Sequence, residues 1–220
     1  MNKKDIKKII GKNNPVIFEI GCADGIDTQE FIDEFGQEIV LHCFEPDPRN
    51  ASVFTSGGYR PINPNFDLPV SGGTIFFNQC AIGSMDGKMK MYQTNTIYSS
   101  SLKKPTDNLF QTWNDIKIQD EIEIDCIKLD TYSSDNDISI IDFIWADVQG
   151  AEDYLIEGGR KTLNEKTRYF YTEYAKDRNN SYYNESPDLE RILSLLGENW
   201  ILLQDFGTDA LFKNIKHDNN

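Results

Sequence analysis

Short apolar runs closed by Gly, Pro or acidic residues alternate along the chain with segments whose apolar residues recur every three or four positions. PVIFEIG (15–21) is a β-rich run ended by a glycine, and IVLHCFEP (39–46) is a second one, ended by Pro46 and Pro48. Between them Phe31, Ile32 and Phe35 fall on one helical face, with Asp27 or Thr28 as a cap and Gly36 as a stop. TIFFNQCAIG (74–83) and KMKMYQT (88–94) flank Asp86-Gly87, which predicts a hairpin. EIEIDCIKL (121–129) alternates as a strand does, whereas IDFIWAD (141–147) is apolar on both faces, as a central strand of a parallel sheet is. A helix is predicted from near Ala151 and a strand at RYFYTEY (168–174). The stripe Leu189, Ile192, Leu193, Leu196 predicts a helix opened by Ser186-Pro187-Asp188, with Ser186 as cap, and ended by Gly197. WILLQ (200–204) and ALFKN (210–214) predict a terminal hairpin across Phe206-Gly207.

Strands separated by helices imply a doubly wound α/β sheet, whose ligands sit at the carboxyl ends of the strands. No internal repeat or linker divides the 220 residues, so a single domain is expected over 1–220. Residues 1–14 read as an N-terminal helix or arm, 55–73 and 96–113 as insert loops over the cleft, and 215–220 as a polar tail. Twenty-two basic residues against 36 acidic ones give a formal charge of −14, which disfavours nucleic acid and anionic membranes as partners. The N-terminus has no apolar core of a signal peptide and no run approaches the roughly 20 apolar residues of a spanning helix. A soluble, cytoplasmic protein without membrane insertion is expected. Cys22, Cys43, Cys80 and Cys126 lie far apart with no His nearby, and read as buried free thiols on or beside strands.

Two strand ends carry chemistry. EIGCADG has the form E-x-G-x-x-x-G, where Gly21 and Gly25 let the backbone approach a ligand before a helix N-terminus. CFEPDP places Glu45 20 positions after Gly25, where an acid can accept hydrogen bonds from both ribose hydroxyls. An adenosine-bearing cofactor fits, either NAD or S-adenosylmethionine. The third glycine of G-x-G-x-x-G is missing, and Glu19 suits the amino group of a methionine better than a pyrophosphate.

FEPDPRN, QCAIGSMDGKMKMY, YSSSL, IKLDTY and IDFIWADVQGAEDYLIEGG, in this order, resemble the FkbM family of S-adenosylmethionine-dependent methyltransferases, from about Val16 to Tyr174. The resemblance implies a class I methyltransferase fold, Rossmann-like, with seven strands and an antiparallel last strand. It also implies methyl transfer to a hydroxyl, often of a sugar in a glycan or a glycosylated natural product. Where family members often have Asp, Ala and Asn in the first motif this chain has Glu19, Cys22 and Ala23, and where many have Lys it has Trp145.

Candidate cofactor residues are Glu19, Gly21, Asp24, Gly25, Glu45, Pro46, Cys80, Ala81 and Asp147. Transfer to a hydroxyl needs a near-attack alignment and a general base. His42 lies mid-strand and His217 in the tail, so the base is expected among carboxylates. Asp147, ending a central strand, is the first choice, with Glu152 and Glu173 converging on the same mouth; Asp153 reads as a helix-start charge. Asp147 and Glu173 could instead hold a Mg or Mn ion. Gln149, Tyr98, Ser99 and Ser100 are candidate substrate contacts, and Trp113, Tyr182 and Tyr183 are aromatic residues on which a sugar ring could stack. An NAD-dependent oxidoreductase and a non-catalytic glycan-binding module are the competing classes.

Overall fold

The computed structural model describes residues 1–55 and 74–217. Helix α1 (Lys3–Ile10) precedes β1 (Val16–Ile20), α2 (Ile26–Phe35), β2 (Val40–Phe44) and α3 (Pro48–Thr55). Then come β3 (Thr74–Asn78), β4 (Ala81–Ile82), β5 (Gly87–Thr94), α4 (Asp107–Thr112) and β6 (Ile118–Ile127). The last part holds α5 (Leu129–Asp135), β7 (Ile141–Ala146), α6 (Glu152–Gly158), α7 (Arg160–Lys166), β8 (Thr167–Glu173), α8 (Leu189–Leu196), β9 (Trp200–Asp205) and β10 (Asp209–Asn214).

Among the described residues the main sheet has seven strands in the order β3-β2-β1-β7-β8-β10-β9. Its strands run parallel except β10, which is antiparallel to both neighbours. The chain therefore starts in the middle, winds out through β2 to β3, and returns to β7. The order reverses between β1 and β7, and a crevice outside the carboxyl ends of strands at such a point is where ligands bind.

Period-2 alternation sorts the strand residues onto two faces. Phe18, Ile20, Phe44, Ile144, Phe170 and Phe212 pack with Tyr132, Leu155, Leu163 and Ile192 of α5 to α8. Ile17, Leu41, Cys43, Phe143, Tyr169 and Leu211 pack on the other face against Ile6 of α1 and Phe31 and Phe35 of α2. The expected N-terminal helix is thus a layer of the core. Its Lys3, 5 % exposed, holds its ammonium 3.4 Å from the Trp145 ring and pairs with Asp27.

The predicted hairpin across Asp86-Gly87 does not form. The run 74–83 divides: β3 joins the main sheet beside β2, and β4 enters a second sheet of order β4-β6-β5. There β5 pairs antiparallel with β6, setting Lys88 opposite Asp125 and Lys90 opposite Glu123. The Lys88–Asp125 ion pair is 2.7 Å and Lys90 reaches Glu121 at 2.5 Å. Charge and apolar alternation match better across this long-range pair than within the local hairpin.

Two helix caps also differ from expectation. Gly25 stands at the N-cap of α2, while Asp27 pairs with Lys3 and Thr28 donates to Glu19. At α8 the cap is Asp188, which accepts from the Arg191 amide at 2.8 Å; Ser186 donates instead to the Tyr183 carbonyl. The terminal hairpin β9–β10 forms as predicted. Segment 96–113 folds back on β5 through Tyr92 and Ser101 and contains α4. The expected 55–73 insert falls, after Thr55, outside the described residues, as do the last three residues of the expected tail. Cys22, Cys43 and Cys126 are buried free thiols, and Cys80 is half-buried. Among the described residues no helix is long and apolar enough to cross a membrane.

The two sheets are locked where α6 crosses β4. A Cβ built on Gly158 would collide with the Gly83 carbonyl oxygen, so only glycine lets the helix come this close. Gly158→Ala is expected to cost about 1–3 kcal/mol through overpacking. At roughly 2–4 °C per kcal/mol for a chain of this size, the melting temperature followed by circular dichroism should fall accordingly.

Candidate active site

The end of β1 passes directly beneath the end of β7. Gly21 (φ 90°) leaves no room for a side chain, because a Cβ there would run into the Asp147 carbonyl oxygen. The Asp147 amide donates to the Ile20 carbonyl at 2.9 Å, and the Gly21 and Cys22 amides donate to the Phe44 carbonyl of β2. Three strand ends are therefore tied at one point, and the residues after them line a common crevice.

Glu45, just past β2 and 5 % exposed, accepts from the Ala23 amide and from the Asp47 amide, each at 2.8 Å. Each of its oxygens keeps a further lone pair for a hydroxyl donor. Burial pushes its pKa up to about 7, against the lowering effect of those two amides. Glu45 lines a first cavity, a narrow slot of about 100 Å³, together with Gly21, Pro46, Cys80, Ala81 and Asp147. Apolar walls come from Phe44, Ile82, Met91 and Leu102. Asn50 also faces this slot, and its buried Oδ1 has no partner.

An apolar-walled slot with an acid at the end of β2 and an orphan acceptor offers the contacts an adenosine uses. The residues present fit S-adenosylmethionine in the sense of donors, acceptors and apolar walls.

Glu19 is placed differently from expectation. It is fully buried on the α2 face of the sheet, where Thr28 donates to its Oε2 at 2.6 Å and the Cys43 thiol lies 3.6 Å away. It lines neither cavity. The strand alternation that sends Ile20 to one face sends Glu19 to the other. Burial raises its pKa to about 8.

A second cavity, of about 820 Å³, adjoins the first: Tyr98 and Gln149 line both. Asp147 faces the first, while Glu152 and Glu173 line the second. Gln149 (φ 54°) donates its Nε2 to Asp147 Oδ1 at 2.5 Å, and its Oε1 accepts from the Tyr183 hydroxyl at 2.8 Å. The Asp147 carboxylate, which accepts, sets the Nε2 side of the amide toward it. Glu152 accepts from the Gly150 amide at 3.1 Å.

These acids crowd one another. Burial raises Asp147, and the charges of Asp27 and Asp209 add to it. Burial raises Glu152 to about 8, with Lys103 opposing weakly because that ammonium is held by Asp153 at 2.7 Å. Asp153 thus serves as the partner of Lys103. Burial lifts Glu173 most, then the negative charges of Asp147, Glu152 and Asp209.

The 96–101 strap closes the site from above. The Tyr98 hydroxyl donates to Asp24 Oδ2 at 2.7 Å, so Asp24 meets the slot through Tyr98. Ser99 lines the second cavity and its carbonyl accepts from Tyr183. Ser100 lines the first and hydrogen-bonds Asp47 and Arg49. Sequence reasoning missed Asn50. Ser101, which the sequence groups with Tyr98, Ser99 and Ser100 in one polar wall, donates its hydroxyl to the Gln149 carbonyl at 2.7 Å, but nothing in the SSS run separates the serine that grips Gln149 from its neighbours. Tyr183 is no exposed platform: it is 4 % exposed and works through its hydroxyl.

Among the described residues no group of three or more His, Cys, Asp and Glu side chains is arranged to hold a metal ion. Neither histidine lines a cavity. His42 is buried against the Tyr132 hydroxyl, and burial lowers its pKa to about 4.

A parallel sheet with an antiparallel β10, ligand space at its switch point and an acid ending β2 define a class I methyltransferase fold. Residues 13–206 match the methyltransferase FkbM domain, and the chain belongs to that family. It is 34% identical over 198 residues to the 2-O-methyltransferase NoeI of Sinorhizobium fredii, across 88% of this chain and 75% of that one. Solved structures that align with it include a provisionally assigned sarcosine dimethylglycine methyltransferase from Galdieria sulphuraria, at 12% identity and TM-score 0.43, over 92% of this chain and 60% of that one. Another is the small RNA methyltransferase HEN1, at 10% identity and TM-score 0.43, over 96% and 24%.

A carboxylate whose folded pKa is raised binds its proton more tightly when folded, so stability falls as pH rises from the unfolded pKa to the folded one. For Glu152 that window runs from 4.5 to about 8. The ligand-free protein should lose stability across it. Glu152→Gln and Glu173→Gln should each raise the melting temperature at pH 8.5 by roughly 3–10 °C and leave it nearly unchanged at pH 4.5. Thermal denaturation at the two pH values checks this.

Proposed function

We propose that this chain is an S-adenosylmethionine-dependent O-methyltransferase that methylates a hydroxyl, that of a sugar in a glycan or glycoconjugate. One observation carries the reading: the slot lined by Glu45 and the larger cavity meet at Gln149 and Tyr98, with Asp147 on one side and Glu152 and Glu173 on the other. The name of the relative from Sinorhizobium fredii supports oxygen as the acceptor atom. The Asp147 carboxylate at the junction favours a cationic donor over NAD, whose pyrophosphate would meet repulsion there.

Glu45 would hold the ribose hydroxyls, Asn50 and the apolar walls the adenine end, and Asp147 and Gln149 the end nearest the acceptor. When bound, S-adenosylmethionine supplies a methyl group on a sulfonium that leaves as a neutral thioether. Asp147, held by the Gln149 amide, accepts the acceptor's hydroxyl proton; its raised pKa brings it nearer the pH at which a general base works best. Glu152 and Glu173, kept largely protonated near neutral pH by burial and mutual repulsion, offer hydroxyls to the acceptor's neighbouring oxygens. The Tyr98 hydroxyl, held on Asp24, positions the strap beside the junction of the two cavities. Four free cysteines fit a reducing compartment, and we assign the protein to the cytoplasm. A divalent cation shared by Asp147 and Glu173 is the second reading, although among the described residues no group of three or more ligating side chains is arranged to hold one.

A radiolabelled methyl-transfer screen against glycans, run with and without EDTA, tests both. Labelled product is expected, and its loss with EDTA would replace the proton-accepting Asp147 by the metal-bound one. S-adenosylhomocysteine should raise the melting temperature and NADH should not; the reverse would overturn the reading. Asp147→Asn should cut turnover by about 10²–10⁴-fold while calorimetry finds cofactor affinity within a few-fold of the parent. Glu45→Ala should weaken cofactor affinity by about 10–100-fold, the loss expected for hydrogen bonds to a charged group.

A further inference from the structure

The second cavity is larger than the chemistry at its inner end requires. Its volume of about 820 Å³ lies near the top of the range, about 300–1,000 Å³, of pockets for drug-sized ligands, and one sugar ring at Gln149 leaves much of it free. The far wall carries Trp113 and Tyr182, whose ring centroids are 4.7 Å apart with planes inclined at 59°. Trp113 is 46 % exposed and Tyr182 38 %, although such rings usually bury most of their surface. Two segments distant in sequence are stapled together to present them. The Thr106 amide donates to the Tyr182 carbonyl at 2.9 Å, the Thr106 hydroxyl donates to the Ser181 carbonyl at 2.6 Å, and Pro105 bridges to Tyr183. The pair lines the cavity, while Tyr183, its neighbour, has its hydroxyl on Gln149 and Ser99. One rigid segment thus joins the ledge to the methylation end.

We propose that Trp113 and Tyr182 form a subsite for a second sugar ring, so that the acceptor is at least a disaccharide whose terminal residue is methylated. This rests on the reading of the protein as a methyltransferase of sugar hydroxyls. Aromatic faces attract the C–H face of a pyranose, a contact that is apolar and weakly hydrogen-bonded, and the exposed pair offers such a face away from the acids. The acid-lined end takes hydroxyls; the aromatic end takes a ring and discriminates by length of the acceptor.

Isothermal titration calorimetry tests this with glucose, galactose, maltose, cellobiose and lactose, in the presence of S-adenosylhomocysteine. At least one disaccharide should bind ten-fold or more tightly than its component monosaccharides. Trp113→Ala and Tyr182→Ala should each remove that advantage while S-adenosylhomocysteine affinity and the melting temperature stay as in the parent. Equal affinity of monosaccharides and disaccharides in the parent, or an advantage that survives both substitutions, overturns the subsite. Absence of binding by every sugar overturns it too. In the labelling screen, methyl transfer to a hydroxyl with no preference for disaccharides sinks the subsite alone, whereas the absence of any transfer sinks the methyltransferase reading beneath it.

Discussion

The site depends on one steric constraint, the passage of β1 beneath the carbonyl of Asp147 at Gly21. It pins the ends of β1, β2 and β7 together and fixes the direction in which the chain leaves β7. From there Gln149 turns in the left-handed region (φ 54°), a conformation that costs of order 1–3 kcal/mol for a residue with a side chain. Ser101 on its carbonyl and Tyr183 and Asp147 on its amide over-determine that turn. Such a geometry survives only when several neighbours enforce it, and here they are the residues that face the two cavities.

The charges divide into two kinds by what surrounds them. Asp142, 1 % exposed near the amino end of β7, has Lys12 at 2.7 Å, Arg168 at 3.4 Å and the Val16 amide at 2.9 Å. For Asp47, burial pulls its pKa up, but Arg49 by hydrogen bond and charge, and Ser100, hold it below the ordinary value. These acids are satisfied and structural. Asp147, Glu152 and Glu173 have amides, Gln149 and one another, and their pKa values go up. Buried carboxylates kept in that state destabilise the ligand-free fold; Glu19 is raised by burial as well, so it is their place on the two cavities that sets these three apart.

Much of this was legible. The E-x-G-x-x-x-G turn, the acid ending β2 and the acids after an all-apolar strand all follow from strand direction, because a parallel sheet delivers every strand's last residue to one edge. Glu19 was not legible in that way. Its chemistry suggested a cofactor contact, but its parity within β1 sends it under α2, and parity is settled by which helix covers which face. The β5 hairpin failed for a related reason: a local turn signal competes with non-local partners, and only pairing energy decides. Here the lysines of KMKMY and the acids of EIEID were a visible complement, and weighing them would have placed β5 on β6. The Trp113–Tyr182 pair had no signal at all beyond aromatic type, since the two residues are brought together by hydrogen bonds between loops.

The second sheet supplies part of the wall of the first cavity. The slot is walled on one side by the main sheet, at Gly21, Phe44 and Glu45, and on the other by Ala81, Ile82 and Met91 of the small sheet. The strap 96–101 grows from the end of β5 and is held by Tyr92. The second cavity takes part of its wall from loops around Trp113 and Tyr182, and the adjoining Tyr183 reaches Gln149 just after β7. That hydrogen bond ties the wall of the second cavity to the turn that leaves the Gly21–Asp147 contact. The Gly83–Gly158 contact, which locks the small sheet to α6, follows directly on Ile82 of the first cavity, so a change there is felt in that wall.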